Sequence, residues 1–453
     1  SMLNNDGTAD FRPVAAEAGD GILVAWQNFK RVLTDDDISF GNIVKHSEIS
    51  VSDGIYSKTG EFNSITLSDD ELYDHSPCIA ALNENNGLLV WTKSKGLGLT
   101  TDDAGSDQLV YSVWNGSTWS VAETVQSNLS NIINSSLYAG NGQYLLLYSL
   151  DEDGDLSTTN DWEIYARIFD IATNSWGEAV RITNNEVSDS YAKAVFCEND
   201  WFITWNQNEQ FVYQYGLSGK TETSDALSQV SSNYSLTARK GEEPLVALVF
   251  PKTDEDLNRR LATVFFDVEN NVWGNEVYLT DDDLGYVKSI SPIFTSDGKL
   301  NTAFTTAEII TEVRGGEQYN TPRDKVDLNL VTYTPKRDLE ISETDGIELS
   351  TKIPFPGTAV KIYSTISNKG DFAEHATLII YDGAPESKVK IGEITTKNPI
   401  PAHSDVTLEV EWVLEDTTRT SYNLHAVVIP DEGITETDSN NNSSSLEVYL
   451  SDI

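Results

Sequence analysis

Two cysteines, five histidines and 30 basic side chains among 453 residues exclude several classes of protein. Two thiols cannot build a disulfide framework. Cys78 and Cys197 fall in the opening strands of non-adjacent repeats described below, so they are expected as separate, buried free thiols. The histidines, His46, His75, His375, His403 and His425, are scattered without the spacing of a zinc site. Against the 30 Lys and Arg stand 72 Asp and Glu, a formal charge of −42. Nucleic acid and anionic lipid are held by basic patches, so neither is an expected partner. No segment nears the roughly 18–20 apolar residues of a membrane helix. Ser1 to Asp6 lack the basic start and apolar stretch of a signal peptide, and Ser1-Met2 reads as a cloning scar on a piece of a longer exported protein. A Gly-x-Ser-x-Gly elbow and a phosphate loop are missing too, and no organic cofactor is expected.

What is present is aromatic and strand-forming. The chain is 39% hydrophobic and 10% aromatic, with 10 Trp and 19 Tyr, too much apolar surface for a disordered polymer despite the charge. Short runs of Val, Leu, Ile, Tyr, Phe and Trp alternate with Gly, Asn, Asp and Ser, and helical spacing is nearly absent, which predicts an all-β protein. An apolar run ending in an aromatic recurs, closing on Trp26, Trp91, Tyr148, Trp205, Phe250 and Phe304, at intervals of 65, 57, 57, 45 and 54 residues. A turn followed by Trp comes 28 residues after Trp91 (Trp119), 28 after Tyr148 (Trp176) and 23 after Phe250 (Trp273). Such a period holds about four strands, and one four-stranded sheet cannot bury both faces alone. A β-propeller over residues 1–336 is therefore expected, with six blades, or seven if one copy lies upstream.

Beyond Pro335 the Trp marks stop, and longer alternating strands such as 358–367, 405–412 and 422–429 predict an immunoglobulin-like β-sandwich over residues 337–453. Asp338-Leu339, Pro356-Gly357, Ser367-Asn368-Lys369-Gly370, Pro401-Ala402 and Glu436-Thr-Asp438-Ser-Asn440-Asn441 resemble the bacterial cell-adhesion-related (CARDB-like) domain. The resemblance implies a spacer or adhesion module at an extracellular or cell-surface location, without catalytic residues. In the first part, Phe11-Arg12-Pro13-Val14 resembles the opening motif of sialidases. That likeness implies a sialidase-like, BNR-like propeller and a carboxylate-binding role for Arg12, a guanidinium being suited to gripping a carboxylate through paired hydrogen bonds. The frame also recurs as Asp74-His75-Ser76-Pro77, however, and no Asp-box occurs.

Acidic loops are the second candidate. They read Thr34-Asp35-Asp36-Asp37, Asp102-Asp103 with Asp107, Asp151-Glu152-Asp153-Gly154-Asp155 with Asp161, and Asp254-Glu255-Asp256, and the linkers Asp69-Asp70-Glu71 and Asp281-Asp282-Asp283 are also acidic. Hard cations want several oxygens at short reach, which makes Asp151, Asp153, Asp155 and Asp161 candidate calcium ligands beside a turn glycine, against the alternative of a solvated acidic surface. Trp114 and Trp162 stand outside the two repeating marks and are the candidates for exposed, sugar-stacking rings; Trp412 is expected in the sandwich core. Together these features predict a monomeric, non-catalytic binding module that engages a glycan or a surface protein. A polysaccharide-active enzyme and a purely structural segment are the alternatives.

Overall fold

The computed structural model describes residues 7–32, 34, 39–56, 63–95, 105–228, 230, 233–241, 243–314, 317–323, 325–342, 344–387, 389–416 and 418–451. Asp35, Asp36, Asp37, Asp102 and Asp103 lie outside them. The fold is nearly all β, as the alternation predicts. It falls into two compact units, Ser1–Thr223 and Ser224–Ile453. The expected boundary at 336/337 thus lies inside the second unit. No helix among the described residues is long and apolar enough to cross a membrane.

The first unit contains four antiparallel meanders in chain order. Sheet I joins Asp10–Ala18, Gly21–Phe29, Ser47–Ser52 and Ser64–Thr66; sheet II joins Tyr73–Asn83, Asn86–Ser94, Asp107–Trp114 and Glu123–Leu129. Sheet III joins Asn131–Gly140, Gln143–Asp151 and Trp162–Asp170, whose outer side pairs with two short pieces, Ser175–Trp176 and Val180–Arg181. Sheet IV joins Asp189–Cys197, Asp200–Gln207, Gln210–Tyr215 and Glu222–Thr223. The opening strands lie beside one another in succession, I against II, II against III and III against IV. The recurrent aromatics Trp91, Tyr148 and Trp205 lie in the cores between neighbouring sheets, and Trp26 is buried as well. Both cysteines are free thiols.

Polar groups repeat as faithfully as the aromatics. The third-strand amides of Ile49 and Ile164 donate to Ser68 and Thr183 in the linker that follows, at 2.9 and 2.8 Å, and in the second unit Leu261 does the same to Thr280 at 2.9 Å. Beside them Glu48 accepts from the Asp70 amide, and Glu163 from the Asn185 amide. Four residues on, Asp74 and Asp189 accept the indole N–H of Trp91 and Trp205. These linkers therefore satisfy strand backbone and tie one sheet to the next, which is what a buried polar connection requires.

The opening strands of sheets I, II and IV carry the same bulge, between Phe11 and Val14, His75 and Cys78, and Ser190 and Lys193. At its centre Arg12, Ser76 and Tyr191 take left-handed backbone angles, φ 46°, 52° and 56°. A bulge re-aims the side chain it carries.

In the second unit, sheet V (Ser235–Arg239, Leu245–Thr253, Arg259–Asp267, with Val272–Trp273 and Val277–Tyr278) packs on sheet VI (Tyr286–Phe294, Leu300–Ala307, Asp327–Tyr333). A hairpin, Ile309–Arg314 with Glu317–Pro322, intervenes before the last strand of sheet VI. Phe250 and Phe304, the fifth and sixth recurrent aromatics, are buried. The sandwich follows as two sheets, one built on Ala359–Asn368 and Asp405–Val413, the other on Lys390–Thr395, Ala376–Asp382, Ser421–Pro430 and Ser443–Tyr449. Trp412 lies in its core as expected, edge-on to Tyr422 with ring centroids 4.8 Å apart.

A polar clamp joins the sandwich to sheets V and VI. Arg337 donates to Glu243 and to buried Glu374, and its guanidinium lies 4.3 Å over Phe372, which packs with Leu300 and Phe304. Asp371, fully buried, accepts from Tyr333, the Lys336 amide and His403, while the Ala373 amide donates to Asp267.

Candidate functional site

The connection between the second and third strands of sheet III brings three of the four expected ligands together. Asp151 ends one strand, Asp161 immediately precedes the next, and Asp153 lies in the turn between them. One carboxylate oxygen from each lies within 4.8 Å of the other two. The loop is held by its own backbone. The Asp153 amide donates to Asp161 Oδ2 at 2.9 Å, and the Gly154 amide to Asp151 Oδ1 at 3.2 Å. Asn131, from the opening strand of the same sheet, donates to Asp151 Oδ2 at 3.0 Å. Gly154 sits at φ 77°, a conformation open to glycine at little cost.

Asp155 is the exception. Its carboxylate accepts both the amide and the hydroxyl of Ser157, at 3.0 and 2.6 Å, which holds its pKa below the usual carboxylate range and removes it from the cluster. The reason is local: an Asp two residues before Ser closes its own turn more readily than it reaches across the loop. Asp151 behaves oppositely. Burial raises its pKa against the Asn131 hydrogen bond, and the carboxylates of Asp161 and Asp153 raise it further. Asp161 Oδ1 is buried without a hydrogen-bond partner, and among the described residues none of the three acids has a Lys or Arg partner. Three converging carboxylates, one with an unsatisfied oxygen, form a donor set that can bind a metal ion.

A second group of acids, Glu48, Asp70 and Asp74, converges as closely, with one buried oxygen each on Glu48 and Asp74 unpartnered, but it holds a cationic side chain. Lys93 Nζ lies 2.6 Å from Asp70 and 3.5 Å from Asp74. Comparison with the equivalent frame in sheets III and IV explains why. There Asn185 replaces Asp70 and Gln207 replaces Lys93, and both amides donate to Asp189, at 2.6 and 3.0 Å. An Asp–Lys pair in one copy and an Asn–Gln pair in the other do the same job, so this cluster belongs to the repeat. Two other acidic runs are likewise occupied. Asp254 accepts from Asp256 and Asn258 amides and pairs with Arg260, and Asp283 accepts the Arg259 amide.

The aromatic candidates fare unequally. Trp114 is 2% exposed, packs on Trp119 with centroids 5.7 Å apart and donates its indole N–H to Glu84 O at 2.9 Å, so it is a core residue and not a surface platform. Trp162 is half-buried beside Asp161, with its indole nitrogen buried and unpaired. An exposed ring that the aromatic marks did not flag is Tyr191, 52% exposed at the bulge of sheet IV. Aligning it with Arg12 and Ser76 in the repeat is the signal that finds it.

Arg12 is exposed at the bulge of sheet I and donates to Ser76 Oγ, the equivalent bulge residue of sheet II. His75 Nδ1 lies 2.9 Å from the same oxygen, and its ring stacks on Tyr73 at 4.1 Å. Burial, then the charge of Arg12, push the His75 pKa down to about 3, so the imidazole is neutral at every physiological pH.

Comparison with known proteins adds the following. Residues 336–446 match the CARDB family model. No curated protein sequence matches the chain. The CARDB domain of a Pyrococcus furiosus protein, solved in complex with di-metal ions, is 14% identical and covers 26% of this chain and 90% of its own, with a TM-score of 0.21. The Trypanosoma rangeli sialidase is 8% identical over 98% of this chain and 87% of its own, with a TM-score of 0.42. The NanB sialidase of Streptococcus pneumoniae is 10% identical over 74% of this chain and 70% of its own, with a TM-score of 0.46.

Proposed function

We propose that this protein is a non-catalytic binding module of an exported surface protein, in which a six-bladed propeller engages a glycan or a protein partner and the CARDB domain serves as its spacer. A calcium ion held by Asp151, Asp153 and Asp161 orders the loop of sheet III and stiffens the surface that meets the partner. Half-buried Trp162, next to Asp161, and exposed Tyr191 and Arg12 are the side chains through which that surface makes its contacts. The observation that carries the reading is the convergence of three carboxylates, one with an unsatisfied oxygen, at the sheet III loop, with no Lys or Arg paired to them among the described residues. The Arg337 clamp supports the spacer role, because it couples the sandwich to sheets V and VI through charge-assisted hydrogen bonds, two of them to buried Glu374 and Asp267.

The test is a glycan-array and polysaccharide-retardation screen of the whole chain with calcium and after chelation. Saturable, calcium-dependent retention without release of sugar is the expected result. Release of reducing ends, abolished by one Asp or Glu substitution, would replace this reading with a polysaccharide-active enzyme. A blank screen would leave a protein partner, to be sought by cross-linking at the same loop.

A further inference from the structure

Sheet II carries a chain of side-chain hydrogen bonds that its repeat frame does not need. Arg12 donates to Ser76 Oγ; Ser76 Oγ lies 2.9 Å from His75 Nδ1; His75 Nε2 lies 3.2 Å from Ser94 Oγ; and Ser94 Oγ lies 2.5 Å from Asp107 Oδ1. The two ends dictate the direction of every bond. A guanidinium only donates, an ionised carboxylate only accepts, and a hydroxyl has one proton. Ser94 gives its proton to Asp107, so it accepts from His75 Nε2–H. The bare lone pair of His75 is therefore on Nδ1, where it accepts the proton of Ser76, whose oxygen in turn accepts from Arg12.

The parts are fixed in place. Asp107 accepts the Ile132 amide through its other oxygen at 2.9 Å, Tyr73 stacks on the imidazole, and Ser94 and Asp107 are buried while Ser76 is only half-buried. The equivalent bulges of sheets I and IV hold Phe11–Arg12 and Ser190–Tyr191. The backbone device thus works without an imidazole and a hydroxyl side by side, and the chain from Ser76 to Asp107 is specific to sheet II.

We propose that Ser76 is a nucleophilic serine, activated by His75 and oriented through Ser94 by Asp107, that transfers acyl groups from esters to water. A hydroxyl hydrogen-bonded to an imidazole whose other nitrogen is held by a third group is the arrangement that makes serine reactive. Ser76 Oγ attacks the ester carbonyl carbon while its proton passes to His75 Nδ1. The ester C–O bond then breaks, and the departing alkoxide takes that proton, leaving acyl-Ser76. Water attacks the acyl carbon and gives a proton to Nδ1; the acyl–Oγ bond breaks and Oγ recovers the proton. One ester and one water yield one acid and one alcohol, with no redox partner. Arg12 stands beside the reacting oxygen, where its charge meets a developing oxyanion. Burial and, second to it, the charge of Arg12 oppose protonation of His75, so Nδ1 holds the proton only in passing between Oγ and the leaving oxygen, and the substrate class favoured is an ester on an acidic molecule, whose own charge offsets the guanidinium. The inference departs from the non-catalytic part of the proposed function and rests on neither calcium nor glycan binding.

The experiment exposes the intact chain to p-nitrophenyl acetate and, separately, to diisopropyl fluorophosphate, with intact mass and peptide mapping as readouts. A single adduct on Ser76 is expected, absent in Ser76→Ala. Ser94→Ala, which leaves nucleophile and imidazole in place, should slow labelling at least ten-fold, and Ser94→Thr, which restores the hydroxyl, should recover it. No adduct on Ser76 in the wild-type chain would overturn the proposal, and so would wild-type labelling rates in both Ser94→Ala and His75→Gln. Should His75→Gln fail to fold, the Ser94 pair decides.

Discussion

Replacing Lys93 by Gln tests whether the Glu48–Asp70–Asp74 cluster belongs to the repeat frame. In the native chain the ammonium is 2.6 Å from Asp70 and 3.5 Å from Asp74, and Asp74 is fully buried. Burial already pushes the Asp74 pKa up to about 7, with Lys93 and the Trp91 hydrogen bond opposing it. Glu48 Oε2 and Asp74 Oδ2 are buried without hydrogen-bond partners. Two like charges separated by the 4.8 Å that bounds this cluster repel by about 3 kcal/mol at an effective dielectric near 20. Removing one member of a buried pair costs about 3–5 kcal/mol, and the partial exposure of Asp70 reduces that figure. Lys93→Gln should therefore destabilise by about 2–3 kcal/mol, which for a unit of this size lowers its melting transition by roughly 5–10 °C. The companion change Asp70→Asn then recreates the frame of sheets III and IV, where Asn185 and Gln207 both donate to Asp189. The double variant should melt within about 1 kcal/mol of wild type, a coupling of about 2 kcal/mol between the two sites. Differential scanning calorimetry of the four proteins measures it. A double variant as unstable as Lys93→Gln alone would refute the equivalence of the two frames.

Two further outcomes follow from the same geometry. If calcium binds Asp151, Asp153 and Asp161, calcium at about 100 times its dissociation constant stabilises by about 2.7 kcal/mol, so chelation should lower the melting temperature and Asp153→Ala should abolish the difference; an unchanged wild-type melt in chelator sinks the site. Burial raises the Glu374 pKa to about 7 despite Arg337, above its unfolded value of 4.5. This group therefore contributes roughly 3 kcal/mol that is fully present below pH 4.5 and lost as pH rises through 7. The melt of the second unit should fall between pH 5 and pH 8 and be flatter in Glu374→Gln; equal slopes in the two proteins would show that Glu374 does not titrate there.

Much of the architecture was legible from spacing. The six recurrent aromatics each lie two or three residues before the end of a second strand and are all buried, because an aromatic at an equivalent place in every sheet meets an equivalent environment. The sandwich and Trp412 read correctly from longer alternation. The candidate site was legible only in part. Asp151, Asp153 and Asp161 converge, but Asp155 folds onto Ser157, a choice set by local hydrogen-bond geometry that composition does not reveal. Trp114 failed as a platform because standing outside a repeat mark says nothing of exposure: the ring found space against Trp119 and a carbonyl for its N–H.

Alternation, turn residues and a recurring aromatic determine on their own that this chain makes strands, that the strands come in short consecutive sheets, and that the last quarter is a separate kind of sheet. Each of these depends on local period and on burying apolar area, which a sequence states directly. Which polar groups meet is different. Ser76 and Ser94 lie on adjacent strands, Asp107 on a third and Arg12 in another sheet, and the bulge that aims Ser76 at Arg12 is one residue of register. Only the tertiary structure decides that, because a shift of one residue in a strand moves every side chain to the opposite face.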